Sequence, residues 1–268
     1  MFLTPLITDR LTARPPDRLW SLKPTYMPGI QLYTLRDMLE KDTEGTLAAL
    51  ARIGYTEVET HSTYGKTPKE FRAILDRVGL KAPSGHYDVP DVTTKIDQTI
   101  ADAKVLGHKF VILPWLDNDM RSAEGFKRAA EMMNTAGVKF RQAGITFGYH
   151  NHDFEFKKVG DNRSGYDILL AETERKLVCF ELDLFWIRKG GDDPLAMLGA
   201  HKGRFRLVHI KDMAADGSMV DVGQGTMDWA TLLKAARKAG VTEYYVEHDE
   251  VRDGLGFAKS AFEVISKL

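Results

Sequence analysis

The stretch Ile145–Phe156 reads ITFGYHNHDFEF and joins an apolar run to a dense group of polar side chains. Its first half is short and apolar, as expected for a buried strand. From His150 to Glu155 it places two histidines and two carboxylates within six residues. Burying such groups is costly unless they contact a metal ion, a substrate or one another. Three later apolar runs end in the same way, at Asp183, His209 and Glu247.

Outward from this stretch, short apolar runs alternate with amphipathic segments along the chain from Gly29 onwards. The predicted strands are Gly29–Tyr33, Tyr55–Thr60, Leu80–His86, Lys109–Trp115, Ile145–His150, Lys176–Asp183, Arg204–Ile210 and Glu243–Glu247. The predicted helices are Thr43–Ile53, Thr67–Val78, Asp91–Leu106, Ser122–Gln142, Tyr166–Glu174, Asp193–Ala200, Asp228–Ala239 and Phe257–Leu268. Eight alternations at this length predict an α/β protein, a single-domain (β/α)8 TIM barrel over residues 28–268.

A doubly wound open sheet is the competing architecture for such an alternation. An open sheet that binds a dinucleotide needs a glycine-rich turn after its first strand. Here the first predicted strand is followed by Thr34-Leu35-Arg36-Asp37, which contains no glycine. The barrel is therefore the preferred prediction.

Composition narrows the class of protein and of partner. The 268 residues are 43% hydrophobic and 28% charged, as is ordinary for a globular protein with a sizeable core. A formal net charge of −1 gives no electrostatic reason to expect nucleic acid or an anionic membrane as a partner. The single cysteine, Cys179, excludes an internal disulfide, and its apolar surroundings predict a buried, inert thiol.

Residues 1–27 contain four prolines and no helical or strand periodicity. We interpret them as an N-terminal extension that is poorly structured or loosely docked. They lack the organisation of a signal peptide, and no apolar run approaches the roughly 20 residues needed to span a bilayer. The sequence therefore predicts a cytoplasmic protein, with the periplasm as the alternative if an export signal had been removed.

Polar and aromatic side chains recur where the predicted strands end. In a barrel these carboxyl ends surround one shared mouth, where the chemistry of such folds takes place. The residues at these ends are Gln31, Tyr33, Glu59, His61, His86, Trp115, His150, His152, Asp183, Trp186, His209, Lys211, Glu247 and His248.

Strands five to eight are neighbours in a barrel, so His150, Asp183, His209 and Glu247 could converge on one ion. Two imidazoles and two carboxylates suit Mn²⁺, Co²⁺, Fe²⁺, Ni²⁺ or Zn²⁺, with positions left open for substrate oxygens. Each residue also has a simpler explanation. A histidine at a strand end is usually a hydrogen-bonded surface residue, and Asp183 could cap a turn. His152 is a rival to His150, because both lie on the same face of an extended strand.

Seven segments resemble the sugar phosphate isomerase/epimerase family of xylose-isomerase-like TIM barrels, which is related to endonuclease IV, inosose dehydratase and the ketose 3-epimerases. The resemblance covers about residues 28–268 and is specific for the superfamily, although it does not fix the substrate. The segments are GIQLYTLRD at 29–37, PSGHY at 83–87, GYHNHDFEF at 148–156, ELDLFW at 181–186, VHIKDM at 208–213, VGQGTMDW at 222–229 and VEHD at 246–249.

This resemblance implies a metal site. The ketose epimerases hold one divalent ion with Glu, Asp, His and Glu from strands five to eight, which implies Asp183, His209 and Glu247 here. The first position falls on His150, a departure from the commoner Glu. The subgroup acting on 3-keto-glycosides shares this Tyr-His-Asn-His pattern. One divalent ion is expected, Mn²⁺ first, with Co, Fe, Ni, Zn or Mg as alternatives. Endonuclease IV binds three zinc ions and DNA, but this chain lacks a basic stripe.

The implied activity is that of a sugar isomerase or epimerase that removes a proton next to a ketone, through a metal-stabilised enediolate. The candidates for base or acid are Glu247, His152 and His86. The candidates for substrate binding are Gln31, Tyr33, Glu59, His61, Trp115, Trp186 and Lys211. The two tryptophans offer flat faces for a sugar ring, and Lys211 either orients an oxygen or forms a structural ion pair.

Two other functions fit the same residues. A lyase or dehydratase would begin with the same deprotonation and then eliminate water or an aglycone. A non-catalytic barrel would bind the sugar without turnover. No phosphate site is evident, since Gly223-Gln224-Gly225 alone is weak evidence, so an unphosphorylated sugar or glycoside is the expected small-molecule partner. A homo-oligomer is compatible with the sequence.

Overall fold

Eight parallel strands close into a barrel in the computed structural model of the chain, which describes residues 26–268. Each strand pairs with its neighbours in chain order, and the eighth closes on the first. The predicted (β/α)8 barrel is thus confirmed. The strands are β1 Gly29–Gln31, β2 Glu57–Thr60, β3 Lys81–His86, β4 Phe110–Leu113, β5 Thr146–His150, β6 Val178–Asp183, β7 Phe205–Ile210 and β8 Glu243–Val246.

Helices fill the connections between the strands. They are α1 Arg36–Lys41, α2 Thr43–Ile53, α3 Pro68–Val78, α4 Val89–Val92, α5 Ile96–Leu106, α6 Ala123–Gln142, α7 Gly165–Glu172, α8 Leu184–Lys189, α9 Pro194–Ala200, α10 Trp229–Ala239 and α11 Gly254–Ile265. Short 3₁₀ turns span Leu32–Leu35, Asn118–Met120 and Phe154–Phe156. Hairpins pair Lys158–Gly160 with Arg163–Ser164 and Asp212–Met213 with Met219–Val220. No helix within residues 26–268 is long and apolar enough to cross a membrane.

Local sequence signals set the starts of several helices. The Thr67 side chain accepts a hydrogen bond from the amide of Glu70, whose carboxylate bonds back to the amide of Thr67. This reciprocal cap, followed by proline at the first helical position, fixes the start of α3. The side chains of Ser122 and Asp228 cap α6 and α10 in the same manner, by accepting from an amide three residues later.

The predicted helix Asp91–Leu106 was wrong in one respect, because it is broken into α4 and α5. At the break, the hydroxyl groups of Thr93 and Thr94 donate to the carbonyl oxygens of Val89 and Pro90. Consecutive threonines offer the backbone such local hydrogen bonds in competition with regular helix. The apolar spacing on either side had concealed the interruption.

The predicted extension 1–27 lies outside the described residues except for Tyr26 and Met27. Tyr26 is buried and packs edge-on against Tyr244 of β8, with ring centroids 5.4 Å apart. Met27 is exposed. Tyr26 therefore belongs with the packed barrel.

Candidate metal and substrate site at the barrel mouth

The interior of the barrel changes from apolar to polar along strands β6, β7 and β8. A small cluster of buried residues includes Cys179, Leu207 and Tyr245. Side chains two residues apart on a strand point to the same side. The next residues on this side are Glu181, His209 and Glu247, followed by Asp183, Lys211 and Asp249. Alternation along three neighbouring strands thus builds a stack of ionisable groups that rises to the mouth.

The four predicted metal ligands meet at the top of β5 to β8. Asp183 Oδ2 lies 3.8 Å from His150 Nε2 and 3.9 Å from His209 Nδ1. Glu247 Oε2 lies 2.6 Å from His209 Nδ1. Asp183 Oδ2 is buried and accepts no hydrogen bond from the described residues, although Lys211 Nζ lies 3.1 Å away as an ion-pair partner. A buried carboxylate oxygen that accepts no hydrogen bond and faces two imidazoles and a second carboxylate fits a divalent cation, which would share this oxygen with Lys211.

Asp183 also caps a helix, as the simpler explanation had suggested. Its Oδ1 accepts hydrogen bonds from the amides of Phe185 and Trp186, at 2.9 and 2.8 Å. Its own backbone is held by the side chain of Asn151, which accepts from the Asp183 amide at 3.1 Å. One oxygen is therefore committed to α8, and the other is left facing the two histidines.

The far side of each histidine ring contacts a carboxylate. His209 Nε2 lies 2.6 Å from Glu59 Oε2, and His150 Nδ1 lies 3.2 Å from Glu181 Oε2. Metal-binding histidines commonly carry such a carboxylate on their second nitrogen, which fixes the orientation of the ring. His150 rather than His152 has this arrangement, and β5 ends at His150. The structure thus favours His150 as the ligand from β5.

Gln31 and Glu59 lie beneath the mouth, which corrects their predicted contact with substrate. Both are fully buried. Glu59 accepts hydrogen bonds from Gln31 Nε2 at 2.8 Å and from Ser84 Oγ at 2.6 Å, in addition to its contact with His209. Every oxygen of Glu59 is therefore engaged with protein groups, and the pair supports the His209 ring.

Glu181 was missed by the sequence reasoning, although its position two residues before Asp183 placed it on the same side of β6. Its Oε2 lies 2.8 Å from His86 Nε2 and 3.3 Å from His209 Nε2. Donor atoms of His86, His150, Glu181 and His209 form a second group that could surround an ion. Each group contains a buried carboxylate oxygen that accepts no hydrogen bond from a described residue, Glu181 Oε1 in this lower group and Asp183 Oδ2 in the upper one. We favour the upper group of Asp183, His209 and Glu247, because these are the ligands that the family resemblance implies.

Lys211 is buried between three carboxylates, so the ion-pair alternative raised from the sequence is correct. Its Nζ lies 3.1 Å from Asp183 Oδ2, 2.7 Å from Glu247 Oε2 and 2.9 Å from Asp249 Oδ1. Burial lowers the pKa of Lys211, but these carboxylates outweigh burial and raise the pKa well above its usual range. Lys211 therefore supplies a fixed positive charge beside the ligand set. Asp249 is a second residue that the sequence reasoning missed.

The histidines at the mouth differ in protonation. Burial lowers the pKa of His86, but Glu59 and Glu181 outweigh burial and raise it to about 9. Burial lowers the pKa of His152 to about 3, with a further contribution from Lys211. His86 is therefore protonated and His152 neutral at pH 7. His152 Nδ1 is buried, and no described residue bonds to it.

A cavity of about 280 Å³ lies beside the four predicted ligands, of which His150 and Glu247 line it, and we call it the central cavity. Its lining includes the predicted residues Tyr33, His61, His86, Trp115, His150, His152, Lys211 and Glu247. Trp115 is 44% exposed and meets the His152 ring edge-on, with centroids 4.9 Å apart. Trp186 does not line the central cavity; it lies 5.5 Å from His152 on the side of a neighbouring cavity.

The segment after β5 is anchored by a buried carboxylate. Glu155 accepts hydrogen bonds from the Tyr149 hydroxyl at 2.6 Å and from the His152 amide at 2.9 Å. Burial raises the pKa of Glu155 to about 7, although these two donors act in the opposite direction. Glu155 thus fixes the backbone of His152 without reaching the cavity.

Comparison with known proteins agrees with the barrel fold. The sequence model of the xylose isomerase-like TIM barrel family matches residues 47–261. The chain belongs to this family. Among solved structures, a sugar phosphate isomerase/epimerase from Parabacteroides distasonis is similar, with 26% identity and a TM-score of 0.80 over 90% of this chain and 98% of that one. A 3-keto-D-glucoside 4-epimerase from E. coli shares the fold at 15% identity, with a TM-score of 0.69 over 90% of this chain and 99% of that one.

Two inosose dehydratases are also similar in sequence. An inosose dehydratase from Clostridium beijerinckii is 24% identical over 67% of this chain and 56% of its own length. The chain thus spans little more than half the length of that relative. An inosose dehydratase from Lacticaseibacillus casei is 20% identical over 81% of this chain and 87% of its own length. The family therefore contains both epimerases and dehydratases.

Proposed function

We propose that the protein is a divalent-metal-dependent isomerase or epimerase that removes a proton next to the ketone of a keto-sugar or 3-keto-glycoside. The observation that carries this proposal is the buried Asp183 Oδ2, which accepts no hydrogen bond from the described residues and faces His150 and His209, beside a cavity that His150 and Glu247 line. A cation held by His150, Asp183, His209 and Glu247, with Mn²⁺ as first choice, would polarise the ketone and stabilise the charge that develops on its oxygen.

The side chains around the cavity divide the remaining tasks. His152 presents a neutral imidazole and is our candidate base, since its Nδ1 is not bonded to any described residue. His86 has its Nε2 between Glu59 and Glu181, at 3.2 and 2.8 Å, which suits a proton donor held in place. Glu247 contacts both His209 and Lys211, so ligation is its main role. Tyr33, His61 and Trp115 line the walls and are candidates for holding the sugar ring.

A lyase on the same scaffold is the second candidate. The inosose dehydratase relatives favour it, because elimination begins with the same proton abstraction and then expels a leaving group. His86, as a held acid, could donate a proton to the departing oxygen.

Product analysis by NMR in D₂O tests both candidates. The Mn²⁺-loaded protein is incubated with a panel of unphosphorylated keto-sugars and 3-keto-glycosides. Deuterium in an epimer or isomer supports the first candidate, and an unsaturated product with release of water or aglycone supports the second. Binding of a panel member without deuterium incorporation into any would contradict both and indicate a non-catalytic sugar-binding barrel.

A further inference from the structure

Three adjoining cavities form a groove across the mouth of the barrel. The central cavity shares His61, His86 and Pro114 with a cavity of about 230 Å³ above β2 and β3. On the opposite side it shares Asp249 with a cavity of about 940 Å³. We call this last one the outer cavity; it lies between α8, the loop around 217–224 and the loop 248–257. The candidate metal site therefore has an adjoining cavity on each side.

The sizes of the cavities differ in a way that bears on substrate length. The central cavity, at about 280 Å³, is at the lower limit of the roughly 300–1,000 Å³ of small-molecule pockets, and suits one sugar ring. The outer cavity is more than three times as large. A free monosaccharide would leave the outer cavity filled only with water, whereas a second ring attached to the first would extend into it.

The chemistry of the outer cavity fits an uncharged, hydroxyl-rich group. Trp186 contributes aromatic surface, against which the C–H face of a sugar can pack. Carboxylates accept hydrogen bonds from sugar hydroxyls, and they outnumber the cations here, which disfavours a phosphate or another anion. The charged residues of the lining are Asp221, Asp249, Glu250 and Asp253, against Lys189 and Arg252.

The boundary between the central and outer cavities is rigidly held. Asp249 Oδ1 pairs with Lys211 at 2.9 Å, and the Asp249 carbonyl oxygen accepts from Arg36 Nη2 at 3.0 Å. On the far wall, Lys189 Nζ donates to the carbonyl oxygen of Gly217 at 2.8 Å and ties α8 to the loop. The outer cavity is thus built from bonded elements on both sides.

We propose that the substrate is a glycoside of two ring-sized units, with the keto ring in the central cavity and a second sugar ring in the outer cavity. The inference rests on the proposed function, because it assumes that the reacting ring lies beside the four ligands. It adds that affinity for the second ring comes from the surface that Trp186 and Asp249 contribute to the outer cavity.

The test compares two probes on the full-length, Mn²⁺-loaded protein. One is cellobiose oxidised to the ketone at C3 of its non-reducing ring, and the other is methyl 3-keto-β-D-glucoside. The readout is kcat/KM for exchange of the α-proton with D₂O, together with equilibrium binding of unoxidised cellobiose and methyl β-D-glucoside. Gln224→Trp narrows the outer cavity, because Gln224 lines it and its side chain makes no hydrogen bond within the described residues. Ala215→Trp is the matched control, since Ala215 is exposed in the same loop but does not line the cavity.

We expect kcat/KM for the keto-disaccharide to exceed that for the methyl glycoside by at least about tenfold in the parent protein and in Ala215→Trp, because contacts in a pocket produce effects of this size. We expect Gln224→Trp to lose this preference. Exchange with both probes at equal kcat/KM in the parent would overturn the inference and leave the proposed function standing. A second outcome is that neither probe exchanges, while cellobiose still binds more tightly than methyl glucoside and Gln224→Trp removes that difference. This outcome would retain the outer site and reject the proposed function. Absence of both exchange and a binding preference would reject the two together.

Discussion

Asp183 divides its two carboxylate oxygens between structure and the candidate metal. Oδ1 caps α8, while Oδ2 faces His150 and His209. Replacing Asp183 with Ala would remove both functions at once, and loss of a cap alone costs about 1 kcal/mol. Asparagine keeps a cap oxygen and removes the charge, so it separates the two functions.

We therefore predict that Asp183→Asn folds and binds Mn²⁺ at least about tenfold more weakly, since even indirect contacts to a metal ligand are worth 10–100-fold in affinity. Calorimetric titration with MnCl₂ and metal analysis after dialysis measure the effect. Asp193→Asn is the matched control, because Asp193 caps α9 at an exposed position. If Asp183→Asn bound metal normally while Glu181→Gln did not, the ion would belong to the lower group with His86.

His152 and Glu247 can be separated by conservative substitution. Glutamine at position 152 removes the imidazole, so we predict at least about a 10²-fold loss of α-proton exchange with metal retained, the lower end of what a positioned base contributes. In the parent, Glu247 Oε2 lies 2.6 Å from His209 Nδ1. Glu247→Gln keeps an oxygen at the candidate metal position but removes its charge, which would weaken ligation. Deuterium exchange and metal content are measured on both variants. The assignment reverses if Glu247→Gln keeps its metal and loses exchange while His152→Gln still exchanges.

The turn Phe154–Phe156 depends on one buried carboxyl group. Burial raises the pKa of Glu155 from 4.5 to about 7 in the folded protein. Between these values the folded chain binds more protons than the unfolded chain, so the free energy of unfolding decreases as the pH rises through this window. Glutamine imitates the protonated acid and removes the ionisation.

Glu155→Gln should therefore lose less stability than the parent between pH 5 and pH 8, as measured by urea unfolding at both values. Other ionisable groups contribute equally to both proteins, so the difference between the two slopes isolates Glu155. Glu131→Gln, at an exposed position of α6, is expected to behave like the parent. Parallel pH profiles for the parent and Glu155→Gln would show that Glu155 remains ionised throughout.

Among the elements, sequence predicted best where periodicity and local chemistry agreed. The helix Thr43–Ile53 was predicted to the residue, and α3 follows the cap predicted at Thr67. The helix α8 was missed because it begins directly after Asp183 and has only six residues, too few to show a period. β1 ends at Gln31, two residues earlier than predicted, because the chain turns at once into a 3₁₀ turn.

At the scale of the molecule, the mouth was predictable because all eight strands end on the same side of a barrel. The contacts beneath it were not. Glu59 and His209 are 150 residues apart and meet at 2.6 Å, and no local pattern identifies that pair. Strand alternation did place Glu181 and Asp249 beside the ligands. It does not predict which carboxylate oxygen accepts a hydrogen bond from the protein and which does not.

Tyr26 packs onto the barrel at the N-terminal end of the described residues. The sequence predicted that residues 1–27 form a poorly structured or loosely docked extension, yet Tyr26 is only 7% exposed and packs against Tyr244. A chain that begins at Tyr26 should keep the parent melting temperature, whereas a chain that begins at Pro28 loses a buried aromatic ring. Fully burying such a side chain contributes about 1.5–3 kcal/mol. At about 2–4 °C per kcal/mol for a domain of this size, the shorter chain should melt at least about 3 °C lower.

Differential scanning calorimetry of the two truncated chains measures this boundary, with Tyr26→Ala in the full-length protein as the matched variant. Tyr26→Ala should reproduce the loss seen on starting at Pro28, because the same contact with Tyr244 is removed in both. A lower melting temperature already in the chain that begins at Tyr26 would place part of the barrel's stability in residues 1–25. A change of elution volume in that same chain would place an oligomer contact there as well.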